Sequence, residues 1–360
     1  MSTSVLRLVS ATLIVLCSAA VLGGCSSSPA PHAGTGTTGG KTGEKDPTET
    51  VKSGSEENAQ SKAAAAALEK TGAKLVRKEG QVVRVELGPE GSDADLALLK
   101  DLPKVEALVA DKRGVTDQGL ESLKGHPVLK TLDLTQSGIK NPGLAHLEGL
   151  PKIEEVNLKL CDFDVVGIES LAKIKTLKRI RAAQTGFDGA CLAALKECHQ
   201  LELLDLQDCN KVPAADWKTL ENFKKLKMLR IWGPTVDDSV LDYVKEMKSL
   251  KILSLDVSNV GPDGLAKVVH LPLQELSLSL APNITSDAMA PIANFKHLAK
   301  LDLRNVAVGN KGMAHLAGLK VLKVLDLSET AVGDKGLEHL KGLTNLDQVG
   351  QNAPGFLRTR

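Results

Sequence analysis

A period of 24 residues runs through most of this chain and limits what it can fold into. Counted from Val105, ten blocks begin at Val105, Leu129, Ile153, Leu177, Leu201, Leu226, Leu250, Leu273, Leu298 and Leu322. Block 129–152 reads LKTLDLTQSGIKNPGLAHLEGLPK, and block 322–345 reads LKVLDLSETAVGDKGLEHLKGLTN. The fourth position holds Leu108, Leu132, Val156, Ile180, Leu204, Leu229, Leu253, Leu276, Leu301 and Leu325. The sixth holds Ala110, Leu134, Leu158, Ala182, Leu206, Ile231, Leu255, Leu278, Leu303 and Leu327, and neither row contains a polar residue. Apolar residues at every second position predict a short strand with one face in the core. Later in each block the spacing changes to every third residue, as in Leu144, Leu147 and Leu150 or Leu337, Leu340 and Leu343, which predicts a helical face. Asp117, Asn141, Asp238 and Asp334 stand where a side-chain oxygen is expected to cap the first amides of that helix.

One strand and one helix cannot bury their own apolar faces, but stacked blocks bury a continuous core. The expected fold is an α/β solenoid of about 11 repeats, counting one irregular repeat before Val105. It has a parallel sheet on the inner curve and short helices outside, bent into a horseshoe because helices are wider than strands. The blocks resemble leucine-rich repeats over about residues 80 to 350. Within that family LELLDLQDC (201–209), VTDQGLESL (115–123) and LKECHQL (195–201) are most similar to the cysteine-containing type found in F-box proteins. The residue after the strand is small and varied: Ser137, Cys161, Thr185, Cys209, Ser258, Thr330. Such side chains fit a tight buried turn and offer a hydroxyl or thiol to a nearby backbone group. Cys161 and Cys209 lie two repeats apart, roughly 9 to 10 Å at the usual strand spacing, which is too far for a disulfide. Cys198 takes an apolar helix position and Cys191 stands where other blocks have glycine, so all four are expected to be free core thiols. F-box relatives act as substrate receptors of ubiquitin ligases; that role is not expected here, because an F-box does not precede the repeats.

What precedes them has another character. Arg7 is the only charge before residue 25, and an apolar run extends from Leu8 to Leu22. A charged start, a short apolar core and small residues before a cut site form an export signal. Leu22-Gly23-Gly24-Cys25 resembles the lipobox of bacterial lipoproteins, which implies a diacyl or triacyl lipid on Cys25. The alternative is a general secretory signal with a chance cysteine. Residues 26–60 are rich in Ser, Gly, Thr, Pro, Lys and Glu, which suits a flexible tether. The expected organisation is a signal peptide at 1–24 and a disordered tether at 25–56. A capping helix, hairpin and irregular first repeat follow at 57–104, then ten repeats at 105–345, and a C-terminal cap and tail at 346–360.

The net charge is only +1 and eight residues are aromatic, so nucleic acid is not an expected partner. CxxC, HExxH and GxxxxGK patterns do not occur, and no cofactor or metal is expected. His146, His315 and His339 share one repeat position and read as solvated helix residues. Strand residues between the core rows point to the concave face. There Arg179, Arg181, Asp205, Met228, Arg230 and Trp232 fall on three adjacent strands. Trp and Arg are enriched in binding hot spots. The competing expectation is that Trp232 folds back over the turn at Gly233 and Pro234 while the arginines pair with Asp205 and other carboxylates. The sequence therefore points to a lipid-anchored protein of the cell envelope that binds a protein or polysaccharide through its concave face. A structural envelope component is the alternative, and an enzyme with an unrecognised site is third.

Overall fold

The computed structural model describes residues 58–350. The signal peptide, the tether with Cys25, and the tail from 351 lie outside the described residues. Thirteen strands among the described residues form one sheet whose spatial order is the chain order. They are β1 (Lys74–Lys78), β2 (Gln81–Glu86), β3 (Ala107–Val109), β4 (Thr131–Asp133), β5 (Glu155–Asn157), β6 (Arg179–Arg181) and β7 (Leu203–Asp205). The series continues with β8 (Met228–Trp232), β9 (Ile252–Asp256), β10 (Glu275–Ser277), β11 (Lys300–Asp302), β12 (Val324–Asp326) and β13 (Gln348–Gly350). β1 and β2 are an antiparallel hairpin turning at Glu79 and Gly80, and every later pairing is parallel. This is the α/β solenoid that the period predicts.

Register explains why the period is so strict. Leu108 pairs with Leu132, Leu132 with Val156, and Val156 with Ile180, and the row runs on to Leu325. From Leu108 to Leu325 each member of this fourth-position row is fully removed from water. Burying such a side chain contributes about 2 kcal/mol, and here the burial depends on both flanking repeats. A polar residue in the row would be desolvated between two neighbours with no partner.

The turns that follow β4 to β7 and β9 to β12 use a left-handed residue. Gln136, Leu160, Gln184, Asp208, Val257, Leu280, Asn305 and Glu329 have φ between 52° and 60°. This conformation extends the ladder: Gln136 N donates to Lys159 O at 2.8 Å and Val257 N to Ser279 O at 2.8 Å. A β-branched residue such as Val257 is strained there. The next position folds inward. Cys161 Sγ donates to Leu134 O (3.0 Å) and Cys209 Sγ to Ala182 O (3.1 Å), each a carbonyl of the preceding repeat. Thr185 and Thr330 instead turn to carbonyls of their own repeat, Ala182 O and Leu327 O.

The helical side departs from expectation in one respect. Asp117, Asn141 and Asp238 do not cap their own helices. Asp117 Oδ1 accepts from Lys140 N (2.7 Å), Asn141 Oδ1 from Asp164 N (3.1 Å) and Asp238 Oδ1 from Gly261 N (2.7 Å). Each thus staples its repeat to the next, as Asp93 does to Thr116 and Asn310 to Gly333. Asp334 has no following repeat helix among the described residues. Capping of the expected kind occurs at Asp164, which accepts from Val166 N, and at Asp188, which accepts from Cys191 N. The staple also accounts for the helix glycines. A Cβ on Gly143 would collide with the Asp117 carboxylate and lie 3.0 Å from Asp117 Cα. Gly119, Gly167, Gly264 and Gly336 meet Asp93, Asn141, Asp238 and Asn310 in the same way. Cys191 takes this position in the repeat where the residue 26 positions earlier is Val165 rather than an acid or amide.

Block 201–225 also differs. Its outer segment is a nine-residue 3-10 helix, Ala214–Asn222, entered through Pro213. Trp217 fills its interior, fully buried, with Nε1 donating to Thr235 Oγ1 at 3.3 Å. At the N-terminal end helix α1 (Ala59–Lys70) is capped by Asn58 and lays Ala64, Ala65 and Leu68 on the first repeat. Ser61 Oγ donates to Asp101 O at 2.6 Å.

Two outcomes are expected. Gly143→Ala lowers stability by about 1–3 kcal/mol through overpacking, read by urea denaturation, and Asp117→Ala in the same chain recovers part of the loss. Equal loss in the single and double variants would rule out the carboxylate contact as the cause. The second concerns His126, which is buried, with Nε2 3.2 Å from Leu102 O and Nδ1 without a hydrogen-bond partner among the described residues. Burial pulls its pKa below the ordinary 6.5, so the unfolded chain takes up the proton first. Its contribution to stability is complete above that value and is lost as pH falls through it. His126→Gln should therefore flatten the fall in stability on going from pH 7 towards 5 relative to the parent; parallel pH profiles would refute this.

Candidate functional site

Because side chains alternate along a strand, the residues flanking the core row stand on the open face of the sheet. Three adjacent strands bring the six candidate residues together there. Arg179 and Arg181 come from β6, Asp205 from β7, and Met228, Arg230 and Trp232 from β8. Arg181 pairs in register with Asp205, and Asp205 with Arg230. Asp205 is buried while the other five are half-buried.

The arginines are held by carboxylates on both sides. Glu155 of β5 accepts from Arg179 Nε at 2.7 Å and from Arg181 Nε at 3.0 Å. Arg179 Nη2 also reaches Glu154 at 3.4 Å. Asp205 sits between two cations, 3.7 Å from Arg181 Nη1 and 3.5 Å from Arg230 Nη1. The expected pairing with Asp205 therefore occurs for Arg181 and Arg230, and Glu155 is a member of the network that sequence reasoning did not single out. The only signal for it was its place one strand away from two arginines. Beside the network run two further pairs, Lys178–Glu154 at 3.1 Å and Lys227–Glu202 at 2.8 Å. The lysine hydrogen bonds hold both glutamates below the usual carboxylate range.

These contacts leave donors open. Arg181 Nη2, and Nε and Nη2 of Arg230, have no ion-pair or hydrogen-bond partner among the described residues. Restrained guanidinium groups with free N–H edges are suited to carboxylate recognition. An apolar strip adjoins them, because Leu203, Met228 and Ile252 are aligned across β7, β8 and β9. Trp232, in register with Asp256, is half-buried. It is Trp217, on the helical side, that is taken into the core.

A second polar group on the same face is self-contained. The buried Asp256 accepts from Ser254 Oγ (2.8 Å), Ser277 Oγ (2.6 Å) and Ser279 N (2.9 Å). Burial pushes its carboxyl pKa up, opposed by these hydrogen bonds. Arg304 clasps Asp302 with Nε at 3.0 Å and Nη2 at 2.8 Å, and lies 3.5 Å from Asp326. Three serines around one strand aspartate were the available signal for this group.

Cys161, Cys191, Cys198 and Cys209 are buried and free. Burial raises all four thiol pKa values, that of Cys191 to about 12. His146, His315 and His339 lie on the helical side, and no group of three or more metal-ligating side chains occurs among the described residues. Cys25 is outside the described residues. No helix among the described residues is long and apolar enough to cross a membrane.

A leucine-rich-repeat family model matches residues 319–341, and no curated protein matches the chain. Among solved structures, an internalin (inlF) from Listeria monocytogenes is similar at 16% identity and a TM-score of 0.51, over 84% of this chain and 96% of that one. The Rad7 and Elc1 complex of yeast is similar at 16% identity and a TM-score of 0.57, over 80% of this chain and 75% of the matched one. These likenesses establish fold: the described residues form a leucine-rich-repeat solenoid.

Proposed function

We propose that this protein is an envelope-anchored binding scaffold, held to a membrane by lipid on Cys25, which engages a protein partner through the open face of its sheet. The site is formed by Arg179, Arg181, Asp205, Met228, Arg230 and Trp232. One observation carries the reading: restrained arginines with unused donors and a half-buried tryptophan are gathered on three adjacent strands. Trp and Arg on an open face are typical anchors of protein interfaces. The fold adds support, since Rad7 in yeast is found in complex with another protein. A polysaccharide ligand is the other chemistry such a face can meet.

The test uses the full-length protein purified in detergent as bait for envelope extract, beside a variant carrying Arg181→Glu, Arg230→Glu and Trp232→Ala. Circular dichroism confirms that the variant is folded. A protein held by the parent and lost by the variant is the expected outcome; equal retention would move the site elsewhere, and capture of glycan alone would replace the protein partner. Separately, Cys25→Ser is expected to shift the protein from the membrane fraction to the soluble fraction. Continued membrane association of that variant would sink the anchor.

A further inference from the structure

The partner's chemistry can be narrowed, on the premise that the open face binds one. We infer that strands β5 to β8 receive an extended acidic protein segment, with its carboxylates shared between Arg181 and Arg230 and an apolar side chain packed beside Met228.

The charge distribution along the face is the first ground. Over β5 to β8 the open face carries Lys159, Arg179, Arg181 and Arg230 against only Glu155 and Asp205. On one side β4 presents Asp133. On the other, β9 to β12 present Asp256, Glu275, Asp302 and Asp326 against Lys300 and Arg304. A cationic block flanked by Asp133 on one side and by an acidic stretch on the other concentrates anion attraction over β5 to β8. A polyanion such as RNA would run its phosphates over the acidic strands as well, where like charge repels it. A discrete cluster of carboxylates fits within the cationic block.

The arginine geometry is the second ground. Glu155 grips both Nε atoms of β6 and so fixes the arginine stems, while the Asp205 contacts at 3.5 and 3.7 Å are long. Asp205 is buried beneath the two guanidinium groups, which are about 30% exposed. Its charge keeps Arg181 and Arg230 from repelling one another while their free N–H edges remain available. These residues stand two strands apart, roughly 9–10 Å between Cα atoms, a separation that a carboxylate pair on one extended segment can span. The apolar strip is the third ground. Half-buried Met228, with the buried Leu203 and the half-buried Ile252 in register on either side, adjoins the cations, and Trp232 closes the same strand. This pairing of charge with apolar surface favours peptide over neutral glycan, because it demands an apolar side chain close to the carboxylates.

Fluorescence anisotropy with the full-length protein tests the inference, using labelled synthetic probes. These are an acidic peptide with one central leucine, the same peptide with lysines for its acids, the acidic peptide with serine for leucine, and oligouridine RNA. The acidic leucine peptide should bind at least about tenfold more tightly than each of the others, and more weakly as salt is raised. Arg181→Gln with Arg230→Gln should abolish that preference, whereas Lys300→Gln on β11 should leave it in place. Equal or tighter binding of the lysine peptide or of RNA overturns the inference, as does acidic binding that survives the double arginine substitution. If no peptide binds while the extract partner still depends on Arg181, Arg230 and Trp232, the acidic class is wrong and the binding face stands. If neither peptide nor extract partner binds, both fall.

Discussion

Each repeat can bury its apolar strand residue only between the two strands beside it. That dependence shapes everything else in the molecule. Leu108, Leu132, Val156, Ile180 and the residues that continue their row are stacked by parallel pairing in strict register, and one polar insertion would open a gap felt on both sides. The register also sets the lateral neighbours of every residue on the open face. Arg181, Asp205 and Arg230 meet because Ile180, Leu204 and Leu229 are stacked beneath them. The polar network is thus positioned by the core row and need not supply its own alignment.

The fold was legible because its signal repeats. Period two in the first half of a block and period three in the second are local patterns, and ten copies leave little ambiguity. What escaped the sequence was lateral. Asp117, Asn141 and Asp238 occupy plausible capping positions, yet their oxygens turn to amides 23 residues away. Helix-capping rules look only along one helix, so they miss a partner contributed by the next. The glycines that accompany these staples make the same point. Gly143 looks like a weak place in a helix until Asp117 is seen to occupy the space of its missing Cβ.

The site was partly legible for the same reason. Strand alternation placed Arg179, Arg181, Asp205, Met228, Arg230 and Trp232 on one face. It did not decide which carboxylate would hold which arginine, because that depends on side-chain reach across strands. The grip of Glu155 on both arginines therefore emerged from the geometry, as did the closing of the serine cradle around Asp256. The two tryptophans were separable in principle. Trp217 lies in an apolar row of the helical half and Trp232 at an open-face strand position, and only the first is fully buried.

The four cysteines of the repeats have a consequence for how the molecule can be watched. Their thiols are buried and held protonated, so alkylating reagents meet almost no thiolate in the folded repeats. All four lie between positions 161 and 209, Cys191 on a helix and the other three in the turns that follow strands and helices of the repeats carrying the arginine network. Their rate of modification is then a local clock. It measures how often the middle of the solenoid opens, independently of fraying at either end. The same stretch that presents the candidate site carries its own reporters of whether that site is intact.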